Sequence, residues 1–214
     1  MQSIDFQLQK FSGVPVSHGT LLNILKDYKT PNNKISRWLA EGILLPLKKG
    51  LYLVVPEGSS SNCPLPLIAN TLYGPSYVSL EYALYQHGLI PEQAIEVTSV
   101  CTKRAKLFEN PLGTFSYTRI PTPLFSIGVE SIQATDKASY LLASPTKALC
   151  DKLLLLRNLR IYSAQSFREF LLNDLRIDEV ELPNLDPQII SACTVTNQKL
   201  PLLNYLYDWI KELK

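Results

Sequence analysis

No CxxC pair occurs in this sequence, and nowhere do cysteine and histidine cluster. The four cysteines, Cys63, Cys101, Cys150 and Cys193, stand about forty or more residues apart, and only two histidines, His18 and His87, are present. A structural zinc site needs several such ligands at short spacings, so no metal and no cofactor is expected. Isolated cysteines read as buried free thiols in a reducing compartment. Long apolar runs are missing as well. The longest purely aliphatic stretch, Leu153 to Leu156, is far short of the roughly 20 residues of a membrane-spanning helix. The N-terminus MQSIDFQLQKF has no basic start, apolar stretch or small-residue cleavage site, so a cytoplasmic chain with no membrane partner is expected. Absent too are the P-loop, GxSxG, HExxH and dinucleotide-binding glycine patterns, and the chain reads as something other than an enzyme.

An excess of one charge is also lacking, since 21 Lys and Arg face 19 Asp and Glu. The distribution is uneven. Residues 1–56 hold seven bases against three acids, residues 57–159 hold eight of each, and the remainder holds six against eight. The positive field therefore sits at the front, where a nucleic-acid contact gains from it. With 46% hydrophobic residues and 9% aromatics, the chain has ample material for a core.

Apolar spacing along residues 1–56 predicts three short helices and a hairpin. Ile4, Leu8 and Phe11 mark the first helix, ended by Gly13 and Pro15. Ser17 is placed to cap a second, with Leu21, Leu22, Ile24, Leu25 and Tyr28 on one face. Thr30 and Pro31 supply a cap and first turn for a third, which buries Ile35, Trp38 and Leu39 and stops at Gly42. Two β-prone runs, 43–47 and 51–55, flank the turn Lys48-Lys49-Gly50. Helix, helix, helix, hairpin is the order of a winged helix-turn-helix. Residues 56–64, rich in Pro, Gly and Ser, read as a linker.

Two domains are therefore expected, a winged helix over 1–56 and a larger mixed α/β domain over 65–214 with a small sheet and C-terminal helices. In the second, helices are expected near 66–72, 80–87, from Ser144-Pro145 onward, at 164–175, 186–193 and 198–213. Strands are expected at 94–101, 114–120, 125–129 and 139–143.

In a winged helix the third helix enters the major groove. With Ile35, Trp38 and Leu39 facing inward, Asn33, Lys34, Ser36 and Arg37 point outward. Arg37 suits a guanine edge and Asn33 an adenine, while Lys48 and Lys49 at the hairpin tip suit phosphate oxygens. A second basic cluster, Lys103, Arg104 and Lys106, follows a strand and suits either an acidic protein surface or nucleic acid. Glu81, Glu96 and Lys103 are the one carboxylate–lysine grouping to weigh for a nuclease. Glu96 and Lys103 are an odd number of residues apart, so a regular strand puts them on opposite faces.

Four stretches occur in an order that resembles the AbiEi family of bacterial antitoxins and transcriptional regulators. They are AEGILLPLKKGLY (40–52), PSYVSLEYALYQHGLIP (75–91), VTSVCTKRAK (97–106) with GTFSY (113–117), and ASPTKALCDK (143–152). The resemblance spans roughly residues 17–157, and residues beyond 160 match nothing in it. It implies a repressor of its own operon that binds operator DNA at inverted repeats. It also implies an antitoxin, acting through the larger domain against a nucleotidyltransferase toxin without forming a stable complex. Lys103, Arg104 and Lys106 fall in a matching stretch and are the candidate antitoxin surface. One departure is Thr146, where the family carries an acid. Two alternatives remain: a winged-helix regulator whose second domain senses a ligand or dimerises, and a nucleic-acid-processing enzyme.

Overall fold

Helical periodicity at the start of the chain becomes α1 (Ile4–Gln9), α2 (His18–Ile24) and α3 (Pro31–Ala40). The computed structural model describes residues 4–56, 63–136 and 138–214, so residues 57–62 of the expected linker fall outside it. Ser17 caps α2 by accepting the Thr20 N–H at 3.1 Å, satisfying one of the first-turn donors that have no partner within the helix. Thr30 stands at the N-cap of α3 but makes no side-chain cap bond. The start of that helix rests instead on Pro31, whose fixed φ suits a first turn.

Between α1 and α2 the chain forms a short strand, β1 (Pro15–Ser17), where the sequence pattern suggested only a break. It joins the hairpin of β2 (Leu44–Lys48) and β3 (Leu51–Val54) in an antiparallel sheet of order β1-β3-β2. Gly50 turns the hairpin at φ +77°, a conformation that penalises any residue with a Cβ.

Two hydrophobic cores meet at this hairpin. Leu8, Val16, Leu21, Leu25, Ile35, Trp38, Leu44 and Val54 close the smaller one. Leu47, Leu51 and Leu53 belong to the larger core, with the rest of the chain. The hairpin thus packs on both sides, and the chain division at the linker does not coincide with a gap in packing.

The second block runs α4 (Leu65–Leu72), β4 (Ser76–Val78), α5 (Leu80–Gln86), β5 (Val97–Cys101), β6 (Lys106–Asn110), β7 (Gly113–Arg119), β8 (Val129–Thr135), β9 (Ala138–Ala143), α6 (Pro145–Leu155), α7 (Ala164–Glu169), α8 (Pro187–Cys193) and α9 (Leu200–Glu212). Its six strands lie in the order β6-β7-β5-β4-β9-β8. Pairs β5/β7 and β4/β9 are parallel and the others antiparallel. The protein is accordingly of mixed α and β structure, with a larger sheet than its sequence pattern suggested.

Two differences have local causes. The strand expected at 125–129 is a turn over residues 125–128, where Gly128 takes φ +61°, outside the extended region a strand needs, and β8 starts only at Val129. Strand β6 escapes the pattern because only Phe108 and Asn110 in it are even partly covered. Ser144 caps α6 as expected, accepting the Lys147 N–H at 3.2 Å. Among the described residues no helix is long and apolar enough to cross a membrane.

Candidate nucleic-acid interface

Helix α3 is held from below and open above. Ile35 and Trp38 are buried in the smaller core, while Asn33, Ser36 and Arg37 are exposed on the other side. Arg37 keeps 70% of its side-chain area exposed and pairs at 2.7 Å with Glu41, one turn along. That hydrogen bond and the Glu41 charge raise the guanidinium further above its ordinary value. Lys34 departs from the outward position expected for it. It is half-buried, with its ammonium 5.2 Å from the centre of the Trp38 ring, a cation–π geometry.

At the hairpin end the two lysines differ. Lys49 is exposed in the turn. Lys48, expected at a free tip, instead reaches across to the second block and donates to the Leu72 carbonyl at the end of α4. Lys103 does the same to the Gly74 carbonyl at 2.6 Å. The Leu72 carbonyl, in the last turn of α4, has no partner within the helix and carries its negative dipole end, so it draws an ammonium group, and the Gly74 carbonyl lies just beyond that end.

The structure brings the hairpin lysine and the second basic cluster into one patch. Lys103 and Lys106 lie 5.6 and 5.5 Å from the centre of the Tyr73 ring. Lys106 and Lys48 lie 4.9 and 5.9 Å from that of Phe108. The Tyr73 hydroxyl donates to the Arg104 carbonyl at 3.1 Å, fixing the loop that carries these bases. Tyr73, Phe108 and Tyr117 pack edge-on or tilted, with centroids 5.3 to 6.0 Å apart. None of the ion pairs seen among the described residues gives Lys48, Lys49, Lys103, Arg104 or Lys106 an acidic partner. Burial, and then the nearby charges of Lys106 and Lys103, lower the Lys48 pKa. Unneutralised cations crowded around aromatic faces favour a polyanion. Tyr73 and Phe108, which hold this patch together, gave no sequence signal beyond their aromatic character.

Of the grouping weighed for a nuclease, Glu81 and Glu96 line one cleft, whereas Lys103 does not line it. Glu96 accepts the Ser116 hydroxyl at 2.9 Å, Lys103 is turned to Gly74, and Glu81 pairs with Lys152. His87, at the end of α5, bonds the Ala143 carbonyl through Nε2 at 2.8 Å. All four cysteines are free and buried, and the described residues hold no group of three or more His, Cys, Asp or Glu placed to bind a metal ion.

The stretches PSYVSLEYAL and ASPTKALCDK pack on each other around a buried ion pair. Lys147 and Asp151, one turn apart on α6, meet at 2.8 Å with both side chains wholly buried. Lys147 also donates to the Leu124 carbonyl at 2.8 Å. Tyr77 and Ser79 donate to Asp151 Oδ2 at 2.9 and 2.8 Å. Burial raises the Asp151 pKa, opposed by the Lys147 charge and the hydrogen bonds. These partners offset much of the desolvation of the two charges, although Asp151 Oδ1 meets Lys147 without accepting a hydrogen bond, and they tie β4 to α6. A lysine and an aspartate four apart on an otherwise apolar helix is the signal that could have revealed this network. Thr146, where an acid was expected from the resemblance, accepts the Asp186 N–H at 2.8 Å and so anchors the start of α8.

No protein-family model matches this chain, and no curated protein matches it. Among solved structures, the RV2827C protein from Mycobacterium tuberculosis superposes with a TM-score of 0.62 at 15% identity, over 96% of this chain and 74% of that one. At that identity the similarity is one of fold.

Proposed function

We propose that this chain is a DNA-binding transcriptional regulator of the AbiEi antitoxin type, with a winged helix at its N-terminus. The observation that carries the reading is α3, whose polar row Asn33, Ser36 and Arg37 is exposed directly above buried Ile35 and Trp38. The order α1, β1, α2, α3, β2, β3, with its β1-β3-β2 sheet, supports it as the arrangement a winged helix requires. In such a docking α3 enters the major groove and its side chains meet base edges. Lys49, Lys48, Lys103 and Lys106 then continue the contact along phosphates, which fix position without reading sequence. Operator DNA, at inverted repeats, is the partner.

The antitoxin half of the proposal draws on the four ordered stretches. Residues Tyr77, Ser79, Lys147 and Asp151 within them are buried and hold the fold, which leaves Lys103, Arg104 and Lys106 as the candidate surface acting against a nucleotidyltransferase toxin. No stable complex and no catalytic step belong to this reading. Fluorescence anisotropy of the full chain with a duplex from its own upstream region tests DNA binding. A growth assay beside the neighbouring gene tests the antitoxin role. Rescue by the full chain that persists when transcription of the toxin is driven by an unrelated promoter supports an antitoxin, and rescue that vanishes there reduces the role to repression.

A further inference from the structure

Strand β7 alternates cleanly. Phe115 and Tyr117 are buried on one face of the sheet, while Thr114, Ser116 and Thr118 stand half-covered on the other. Thr98 of β5 lies beside Ser116 in the parallel pair and extends the hydroxyl row. Two adjoining clefts, of about 480 and 240 Å³, open on this face and share Glu81, Glu96 and Thr98. The larger falls within the roughly 300–1,000 Å³ of small-molecule sites. Leu155 and Leu156 wall one end, and Ile90 with the fully exposed Ile95 walls the other.

The hydrogen-bonding capacity left over in this cleft defines its ligand. Glu81 is paired with Lys152, and Glu96 accepts from Ser116, so both carboxylates retain free lone pairs. Thr98 has spent its proton on the Ser79 carbonyl and accepts the Tyr82 N–H. Lys152 keeps N–H groups to donate, and the Thr118 hydroxyl has no hydrogen-bond partner among the described residues. Lys152 offsets Glu81 and Arg176 offsets Glu92 on the rim of the larger cleft, so an anion would face Glu96, whose charge no cation among the described residues offsets. An uncharged molecule whose hydroxyls both donate and accept matches the mixture, with the leucine and isoleucine walls covering its apolar face. We propose that this cleft binds an uncharged polyhydroxylated ligand, a ribonucleoside or a sugar, through vicinal hydroxyls held by Glu81, Glu96, Ser116, Thr118 and Lys152. The site is built from residues other than those assigned to DNA, so either assignment can fail without the other.

Calorimetric titration of the full chain with ribonucleosides, the matching deoxynucleosides and methyl hexosides tests it. Saturable binding of a ribonucleoside, about tenfold weaker on loss of one ribose hydroxyl, identifies ribose as the source of the diol. Saturable binding of a hexoside identifies a sugar. In either case Glu96→Gln and Thr118→Val each weaken binding by about tenfold, with the thermal unfolding midpoint unchanged. No binding in any arm at millimolar ligand overturns the proposal. Equal affinity for ribo- and deoxynucleosides without hexoside binding, or affinity indifferent to both substitutions, overturns it as well.

Discussion

Lys48 of the hairpin and Lys106 of the sheet edge share a single ring, their ammonium groups 5.9 and 4.9 Å from the centre of Phe108. The two residues stand nearly sixty positions apart in the chain and are joined only by the fold. Their juxtaposition, with Lys103 beside them, turns two modest sequence clusters into one continuous basic surface.

Removing Lys106 or Lys103 is expected to weaken binding to every DNA sequence to a similar degree. Each lost phosphate contact lowers the slope of log affinity against log salt by about 0.9. Anisotropy titrations of Lys103→Ala and Lys106→Ala over a series of salt concentrations measure this. A slope identical to that of the unaltered protein places the second block outside the interface.

Asp151→Ala leaves the Lys147 ammonium buried without its counter-ion and is expected to destabilise the fold by about 3–5 kcal/mol. Replacing both, as Lys147→Met with Asp151→Leu, recovers much of that loss, since an apolar pair of similar volume needs no desolvated charge. Urea unfolding of the single and double variants decides the matter. A double variant no more stable than the single one shows that Tyr77, Ser79 and the Leu124 carbonyl, left unpaired, outweigh the charge effect.

Gly128 sits at φ +61°, and a Cβ there would lie 3.0 Å from both Lys147 Cβ and Ile189 Cγ2. Its carbonyl accepts the Ser144 N–H at 2.8 Å, at the start of α6. Gly128→Ala therefore adds the left-handed penalty of about 1–2 kcal/mol to a contact that the buried helix cannot easily relieve. A clear fall in thermal midpoint is expected, and an unchanged midpoint contradicts the tight approach of this turn to α6.

Much of the fold was legible because local signals agreed with tertiary packing. Ser17 and Ser144 cap the helices they were expected to cap, and Gly42 and Gly50 take the positive φ values their positions called for. What stayed hidden depended on contacts between distant segments. Strand β1 is three residues long and exists because it pairs with β3. Strand β6 lacks a buried face of its own and is held by β7. The same holds for the candidate sites. The exposed face of α3 follows from helical spacing, whereas the docking of Lys48 on Leu72 needs a carbonyl 24 residues away. Lys152, not Lys103, is the lysine that meets Glu81, because a helix that begins more than sixty residues later packs against α5.

Arg37→Ala tests the base-reading role of α3 most directly. Affinity for the native upstream duplex and for a scrambled duplex of equal length is to be measured at one fixed salt concentration, alongside the unaltered protein. A lost bidentate contact is expected to reduce specific binding by about tenfold or more while leaving binding to the scrambled duplex within about twofold. Equal losses on the two duplexes would contradict a base-reading Arg37 and reduce α3 to another part of the basic surface.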